Sequence, residues 1–112
     1  MRLWRIIDIA NPTKIGIIKI SEEIPVTYKL YQNYPNPFNP VTVINFDISK
    51  SSFVNLKVFD AIGREVEELV NGRVEPGVYS VEWNAETYNS GIYFYMLKTD
   101  NFTQSRKMIV IK

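Results

Sequence analysis

The sequence of 112 residues contains no cysteine and no histidine. Without cysteine, the chain can form neither a disulfide bond nor a thiolate zinc site. Without histidine, it lacks the most common general base, the most common metal ligand and the usual partner of a serine or cysteine nucleophile. Both absences argue against an enzyme, and we assign no catalytic, cofactor-binding or metal-binding residues.

An excess of charge is also missing, since 13 Lys and Arg face 12 Asp and Glu, for a formal net charge of +1. This balance creates no field that would attract nucleic acid, so we expect no nucleic-acid partner. No apolar run approaches the length of a membrane span. The opening residues, Met1–Asp8, do not resemble a secretory signal, because Asp8 interrupts their apolar stretch. Either the chain is not exported from its own N-terminus, or Met1 is not the natural start.

A linker signal at Ser21–Pro25 divides the chain, because charge and a proline replace the alternation of apolar residues there. We assign residues 1–23 to the tail of a preceding domain or a linker, and residues 24–112 to one domain. Within the first part, Arg5–Ile9 and Ile15–Ile20 are predicted as short strands. Two strands alone are marginal in water. They pack on the main domain, stay loose or end a larger unit, and we favour the last two arrangements.

The segment Tyr28–Pro40, here called the proline segment, has three prolines in its last six residues. Proline fixes φ and has no N–H to donate, so neither a helix nor a central strand is compatible with this segment. We expect a fixed extended crossing, with the rings of Tyr34 and Phe38 as apolar anchors.

After the proline segment, short apolar stretches alternate with turn residues every eight to twelve positions. Strands are predicted at 42–48, 54–58, 64–70, 79–83, 92–98 and 103–111. The 64–70 stretch is ambiguous because its apolar residues also fit helical spacing, and we assign it as a strand. Aromatic residues on both faces of 92–98 predict a strand covered on both sides. The whole pattern is typical of an all-β antiparallel sandwich.

The acidic run Glu65, Glu67 and Glu68 is the densest carboxylate cluster of the chain. On a regular strand, Glu65 and Glu67 share one face and Glu68 lies on the other, which predicts a solvated edge and no catalytic pair. The loop 84–91 also carries several side-chain oxygens, but without the spacing of a known calcium loop.

Five pieces of the sequence, in this order and spacing, carry a resemblance to a known family: Tyr31–Pro40, Val58–Val66, Gly77–Asn84, Ser90–Tyr95 and Lys107–Lys112. Residues 24–112 resemble the type A C-terminal sorting domain of the type IX (Por) secretion system. The resemblance implies an immunoglobulin-like sandwich of about seven strands, in agreement with the strand pattern, and a non-enzymatic role.

Further expectations follow from that resemblance. The domain would direct a passenger protein, N-terminal to it, across the outer membrane. Its partners would be an outer-membrane translocon and a cell-surface sortase that removes the domain. The protein would pass through the periplasm and end at the cell surface, in the outer membrane or in the medium.

Recognition is expected at motif residues of the resemblance: Tyr34, Pro35, Asn36, Pro37, Gly63, Arg64, Gly77, Gly91, Lys107, Ile109, Val110, Ile111 and Lys112. The planar guanidinium of Arg64 suits recognition of a partner's carboxylate. A salt bridge within the domain, to Glu65, Glu82 or Glu86, is equally compatible with the sequence. The last strand is expected to be exposed and read by strand addition, whereas its lysines would alternatively discourage edge pairing.

A different function class is a generic immunoglobulin-like adhesion or scaffold module, or a carbohydrate-binding module, of a larger surface protein. Such a module would need an exposed aromatic platform, which Tyr88, Tyr93 and Tyr95 could form. However, aromatic residues at strand spacing usually belong to a core. We therefore expect at least half of the set Tyr79, Trp83, Tyr93 and Tyr95 to be buried.

Overall fold

The computed structural model describes residues 17–112, which contain eight strands and no helix. The strands are β1 (Ile18–Ser21), β2 (Lys29–Leu30), β3 (Val41–Ile48), β4 (Ser52–Phe59), β5 (Glu65–Val74), β6 (Gly77–Asn84), β7 (Gly91–Lys98) and β8 (Thr103–Val110). They form two four-stranded sheets, with the orders β1-β6-β3-β2 and β5-β4-β7-β8. The predicted antiparallel sandwich is confirmed. Residues 17–112 contain no helix that is long and apolar enough to cross a membrane.

One face of each sheet contributes to a shared core, as the alternation of apolar residues predicts. The predicted core positions are fully buried: Ile44, Phe46, Ile48, Val54, Leu56 and Val58. All four aromatic side chains of the predicted set are buried too, from Tyr79 at 0% exposed to Tyr93 at 7%. Trp83 packs at the centre of an aromatic group, with its ring centroid 5.8 Å from that of Phe38 and 5.6 Å from that of Tyr93.

Strand β1 extends the first sheet upstream of the predicted domain boundary. It pairs antiparallel with β6, with Ile18 opposite Ser80, and Ile17 is buried in the core. The described part of the upstream segment therefore packs on the main domain, contrary to the two arrangements that we favoured. The predicted strand Arg5–Ile9 lies outside the described residues, and the domain boundary at Ile24 stays a prediction.

Strand β7 is covered on one side only, so the prediction of a strand covered on both sides is wrong. Tyr93 and Tyr95 point into the core, whereas Ile92 and Phe94 are 44% and 37% exposed on the other face. An antiparallel sheet can leave one face to solvent, and two exposed apolar side chains are compatible with such a face.

Strand β5 extends from Glu65 to Val74 without a helical turn, which confirms the assignment of the ambiguous 64–70 stretch as a strand. Its pairing with β4 shifts register twice, so that Val66 and Leu69 have no partner on β4. Each shift is a β-bulge, which places one extra residue on β5. The next residues along the strand consequently change face.

The bulge at Val66 overturns the predicted arrangement of the acidic run. Glu65 lies opposite Phe59, and Glu68 lies opposite Lys57, so both belong to the outer face of the sheet. Glu67 lies opposite the buried Val58 and faces inward. Simple alternation failed here because the residue inserted at Val66 reverses the facing of the residues that follow it, until the second bulge at Leu69 reverses it again.

Candidate functional site

The strand directions bring all but one of the recognition candidates to one end of the sandwich. Strands β4, β6 and β8 end there, and β3, β5 and β7 begin there. We call it the Arg64 end; it comprises residues 34–40, the turn 60–64, residues 85–91 and residues 107–112. The exception is Gly77, which lies opposite Ile48 at the other end, here called the Gly77 end.

The proline segment pairs with the outer edge of β8. The amide of Phe38 donates to the carbonyl of Ile109 at 3.0 Å, and the amide of Ile111 donates to the carbonyl of Phe38 at 2.9 Å. The side-chain oxygen of Asn36 accepts a hydrogen bond of 3.0 Å from the amide of Ile109. The backbone of the last strand is therefore held from both sides, by β7 and by the proline segment.

Strand addition along this edge conflicts with the structure. Gln32 extends the pairing, since its amide group donates to the carbonyl of Lys107 at 2.8 Å. Four outward-facing backbone groups are thus already bonded, namely the carbonyl of Lys107, the amide and carbonyl of Ile109 and the amide of Ile111. An added strand would have to displace the proline segment. The expectation of an exposed C-terminal strand is wrong for these residues, because the edge that ends a sheet is covered by an irregular segment.

A buried asparagine fixes the course of the proline segment. Asn33 is 2% exposed. Its amide donates to the hydroxyl of Tyr95 at 2.7 Å, and its side-chain nitrogen donates to the hydroxyl of Thr42 at 2.9 Å. That hydroxyl donates to the carbonyl of Pro35 at 2.9 Å. Sequence reasoning missed Asn33, since nothing in the local pattern distinguishes it from the exposed asparagines nearby.

Only one of the two predicted anchors of the segment is an anchor. Phe38 is 3% exposed and packs on Trp83, as predicted. Tyr34 is 80% exposed, so its predicted role as an apolar anchor is wrong. Its backbone supplies the contact instead, because its amide and carbonyl pair with those of Val43.

The turn after β4 presents Arg64 on a fixed backbone. The Oδ1 atom of Asp60 accepts hydrogen bonds from the amides of Ile62 at 3.1 Å and Arg64 at 2.9 Å. Gly63 has a φ of 90°, in the left-handed region that its missing side chain allows. The predicted tight turn with positive φ at Gly63 is confirmed.

The ionic partner of Arg64 is Asp60, and not Glu65, Glu82 or Glu86, the partners that the alternative interpretation considered. The Nε atom of Arg64 lies 2.8 Å from Oδ2 of Asp60, and its side chain is 75% exposed. The hydrogen bond from the Arg64 amide and the adjacent guanidinium lower the pKa of the Asp60 carboxyl. Asp60 therefore stays ionised and orients a guanidinium that faces solvent.

A shallow cavity of about 270 Å³ lies beside this turn. It is lined by Asp60, Ala61, Ile62, Arg64, Asn89, Ser90, Gly91, Ile92 and Tyr93. The amide of Lys112 donates to the hydroxyl of Ser90 at 3.0 Å, so the last residue reaches the same loop. The Arg64 end thus combines an exposed cation, exposed apolar side chains and the chain terminus on one surface.

The aromatic platform of the adhesion alternative is not formed by the residues considered for it. Tyr93 and Tyr95 are buried, and Tyr88 is half-buried with its hydroxyl donating to the carbonyl of Val66 at 2.9 Å.

Within residues 17–112, no group of three or more acidic, histidine or cysteine side chains could hold a metal ion.

Comparisons with known proteins identify a family and a solved structure with a related fold. A family model described as a secretion system C-terminal sorting domain matches residues 32–112. No curated protein matches the chain. A solved structure of PorZ, described as an essential bacterial surface component of the type-IX secretion system of Porphyromonas gingivalis, is similar at 22% identity with a TM-score of 0.52. The similarity covers 74% of this chain but 11% of that protein, and at this identity it shows the fold alone.

Proposed function

Because the chain belongs to the family of secretion system C-terminal sorting domains, we propose that residues 24–112 direct a passenger protein across the outer membrane through the type IX secretion system. The passenger would precede this domain, and the partners would be the outer-membrane translocon and a surface sortase. The domain acts by being bound and catalyses nothing. Transit through the periplasm would end at the cell surface, in the outer membrane or in the medium, after cleavage of the domain.

The observation that supports a recognition role is the gathering of the motif residues at the Arg64 end. Residues 34–37, the turn with Gly63 and Arg64, Gly91 and the stretch 107–112 come from four distant parts of the sequence. A sandwich does not require an exposed guanidinium or an exposed Ile62 at a turn. We infer that the translocon reads this composite surface on the folded domain.

A folded surface fits the contacts better than a free strand does. The last strand bonds to β7 on one edge and to the proline segment at Lys107, Ile109 and Ile111 on the other, so these residues are not available for pairing unless the proline segment leaves. Side chains of this stretch stay accessible, since Lys107 and Lys112 are exposed and Ile111 is 51% exposed. Recognition would use these side chains together with Arg64.

The direct test fuses the full chain behind a periplasmic reporter in a host with this secretion system. We expect the reporter to reach the surface or the medium, and its retention in the periplasm would refute the sorting role. Deleting Ile111 and Lys112, which are exposed and follow β8, is expected to block export while the truncated domain, which keeps the buried Val110, is still recovered folded. Export that survives the deletion would show that the terminus is not part of the signal.

A charge-reversal pair tests the composite surface without removing any backbone. Arg64→Glu is expected to reduce export at least about tenfold, because a guanidinium that binds a partner carboxylate becomes repulsive. Arg73→Glu is the matched control, since Arg73 is exposed on β5 near the Gly77 end. Equal export of both variants would place recognition elsewhere.

A further inference from the structure

Another cavity lies at the Gly77 end, at the opposite end of the sandwich from the other recognition candidates. Its volume is about 350 Å³, and it forms where the residues after β1 cross the outer face of the first sheet. Its lining comprises Ile20, Ser21, Glu23, Pro25, Tyr31, Asp47 and Val78. Glu23 and Asp47 are the charged residues of this lining, and both are carboxylates.

Asp47 is an incompletely bonded carboxylate in the wall of this cavity. The residue is 9% exposed, and its Oδ2 atom accepts a hydrogen bond of 2.7 Å from the hydroxyl of Tyr31. Its Oδ1 atom is buried without a hydrogen-bond partner among the described residues. The side-chain oxygen of Asn45, on the same face of β3, is also buried without a hydrogen-bond partner among the described residues. A buried acceptor without a donor is costly, so this site gains free energy from an incoming donor.

The cation that lies opposite Asp47 in the pairing of β2 with β3 does not meet this requirement. Lys29 lies opposite Asp47 on β2, but its Nζ atom sits over the ring of Tyr31, 4.6 Å from the ring centroid. Within the described residues, no ion pair of 4.0 Å or less joins Lys29 to Asp47. The lysine does show that the ring of Tyr31 accepts a cation on its face.

We propose that this cavity binds the cationic head of one basic side chain, arginine in preference to lysine, from a partner peptide. Two carboxylates and no lining cation favour positive charge, and the unpartnered oxygen can accept a charge-assisted hydrogen bond from an N–H donor. A divalent metal ion fits less well, because it needs several oxygen ligands and no cluster of three acidic groups is present in residues 17–112. A planar guanidinium bonds two acceptors at once and stacks on an aromatic ring, which an ammonium does less well.

The test titrates the full chain with Nα-acetyl-arginine methylamide and follows backbone amide signals by NMR at constant ionic strength. The neutral citrulline analogue and calcium chloride serve as the matched probes. We expect saturable shifts at Ser21 and Val78 with the arginine probe, and no saturation with either of the others. Saturation by citrulline would overturn a charge-based site, and tighter binding of calcium would overturn an organic-cation site.

Two variants connect the binding to the named carboxylates. Asp47→Asn keeps an acceptor for Tyr31 and is expected to weaken the arginine probe about tenfold or more. Glu23→Gln, at an exposed position with no bearing on the core, should weaken it to a smaller extent. Glu86→Gln, an exposed carboxylate at the Arg64 end, is the control and should bind like the parent. Affinities that are equal for all three variants and the parent would overturn the proposal, whatever the outcome of the secretion assay.

Discussion

The amide of Asn33 donates a hydrogen bond of 2.7 Å to the phenol oxygen of Tyr95, 62 positions later in the chain. The same hydroxyl donates to the carbonyl of Tyr31 at 2.7 Å. A side chain of β7 thereby satisfies two backbone groups of a segment that belongs to no sheet at that point. Asn33 and Tyr95 are both buried, so water cannot replace either bond.

Replacing Tyr95 by phenylalanine removes this hydroxyl and keeps the ring. The buried amide of Asn33 then lacks an acceptor, and we expect a loss of about 1–3 kcal/mol in the free energy of unfolding. Urea denaturation measures it. Tyr34→Phe is the matched control, since Tyr34 is 80% exposed and should change stability by less than about 0.5 kcal/mol. Similar losses in both variants would contradict the role of the Tyr95 hydroxyl.

Stability is expected to fall at high pH because two core tyrosines resist ionisation. Burial raises the pKa of Tyr79 and of Tyr95 to about 12 each. In the unfolded chain these phenols ionise near pH 10, so their contribution to stability is complete below about pH 10 and is lost as the pH rises through about 12.

The melting temperature between pH 8 and pH 12, followed by circular dichroism, checks this window. The tyrosinate absorbance should rise in more than one phase, the last one coinciding with unfolding. Tyr95→Phe should show a shallower decrease of melting temperature relative to its own value at neutral pH. A single phase near pH 10, with the fold intact, would contradict the assignment.

The fold was predictable because local and tertiary preferences agree in the strands. Alternation alone identified the buried faces of β3 and β4. The ambiguous stretch at β5 was correctly assigned as a strand because the predicted elements on both sides of it are strands. The course of the proline segment was only half predictable. Prolines exclude helix and sheet, but they do not decide whether Tyr34 or its neighbour Asn33 faces the core. That choice depends on Tyr95, which no local pattern connects to this segment.

The candidate site was predictable residue by residue but not as a surface. Motif resemblance identified Arg64 and the C-terminal stretch, and the strand directions then explain why they meet at one end. The alternative interpretation of Arg64 named the wrong salt-bridge partners, because it considered Glu65, Glu82 and Glu86 and not an acidic residue of the turn. In the structure, Asp60 binds the guanidinium of Arg64 within the turn itself. The carboxylate of Asp60 also accepts hydrogen bonds from two backbone amides of the turn.

Gly63→Ala tests how rigidly the turn presents Arg64. A Cβ at this position would meet no atom within 4 Å, so the whole penalty arises from the φ of 90°. We expect a loss of about 1–2 kcal/mol in the free energy of unfolding. Gly63→Asn should lose less, because asparagine tolerates the left-handed region better than alanine does. Equal stability of the parent and the alanine variant would contradict the strained turn.

Asn36→Ala tests the side-chain contribution to the pairing of the proline segment with β8. The amide of Ile109 loses its acceptor, so its hydrogen exchange should accelerate about two- to tenfold. Asn39→Ala, at an exposed position of the same segment, is the control and should leave this amide unchanged. Exchange measured by NMR distinguishes the outcomes. Unchanged protection of the Ile109 amide in the Asn36 variant would mean that the backbone hydrogen bonds of Phe38 hold the proline segment on β8 without the Asn36 side chain.

Glu67→Ala tests the inward facing that the bulge at Val66 imposes. The carboxylate of Glu67 accepts a hydrogen bond of 2.8 Å from the indole nitrogen of Trp83, which is 1% exposed. Without that acceptor the buried indole N–H is unpaired, and we expect a loss of about 1–3 kcal/mol together with a shift of the tryptophan fluorescence.

The matched control for this variant is Glu65→Ala. Glu65 lies on the outer face, 3.1 Å from the ammonium group of Lys57, and a salt bridge at such an exposed site contributes about 0–1 kcal/mol. Its removal should leave the environment of Trp83 and its fluorescence unchanged. The reverse order of losses, with Glu65 costing more than Glu67, would mean that β5 alternates regularly in solution. A third variant, Glu67→Gln, keeps an oxygen acceptor for the indole and should recover most of the lost stability, because a neutral acceptor replaces a charged one at the same atom.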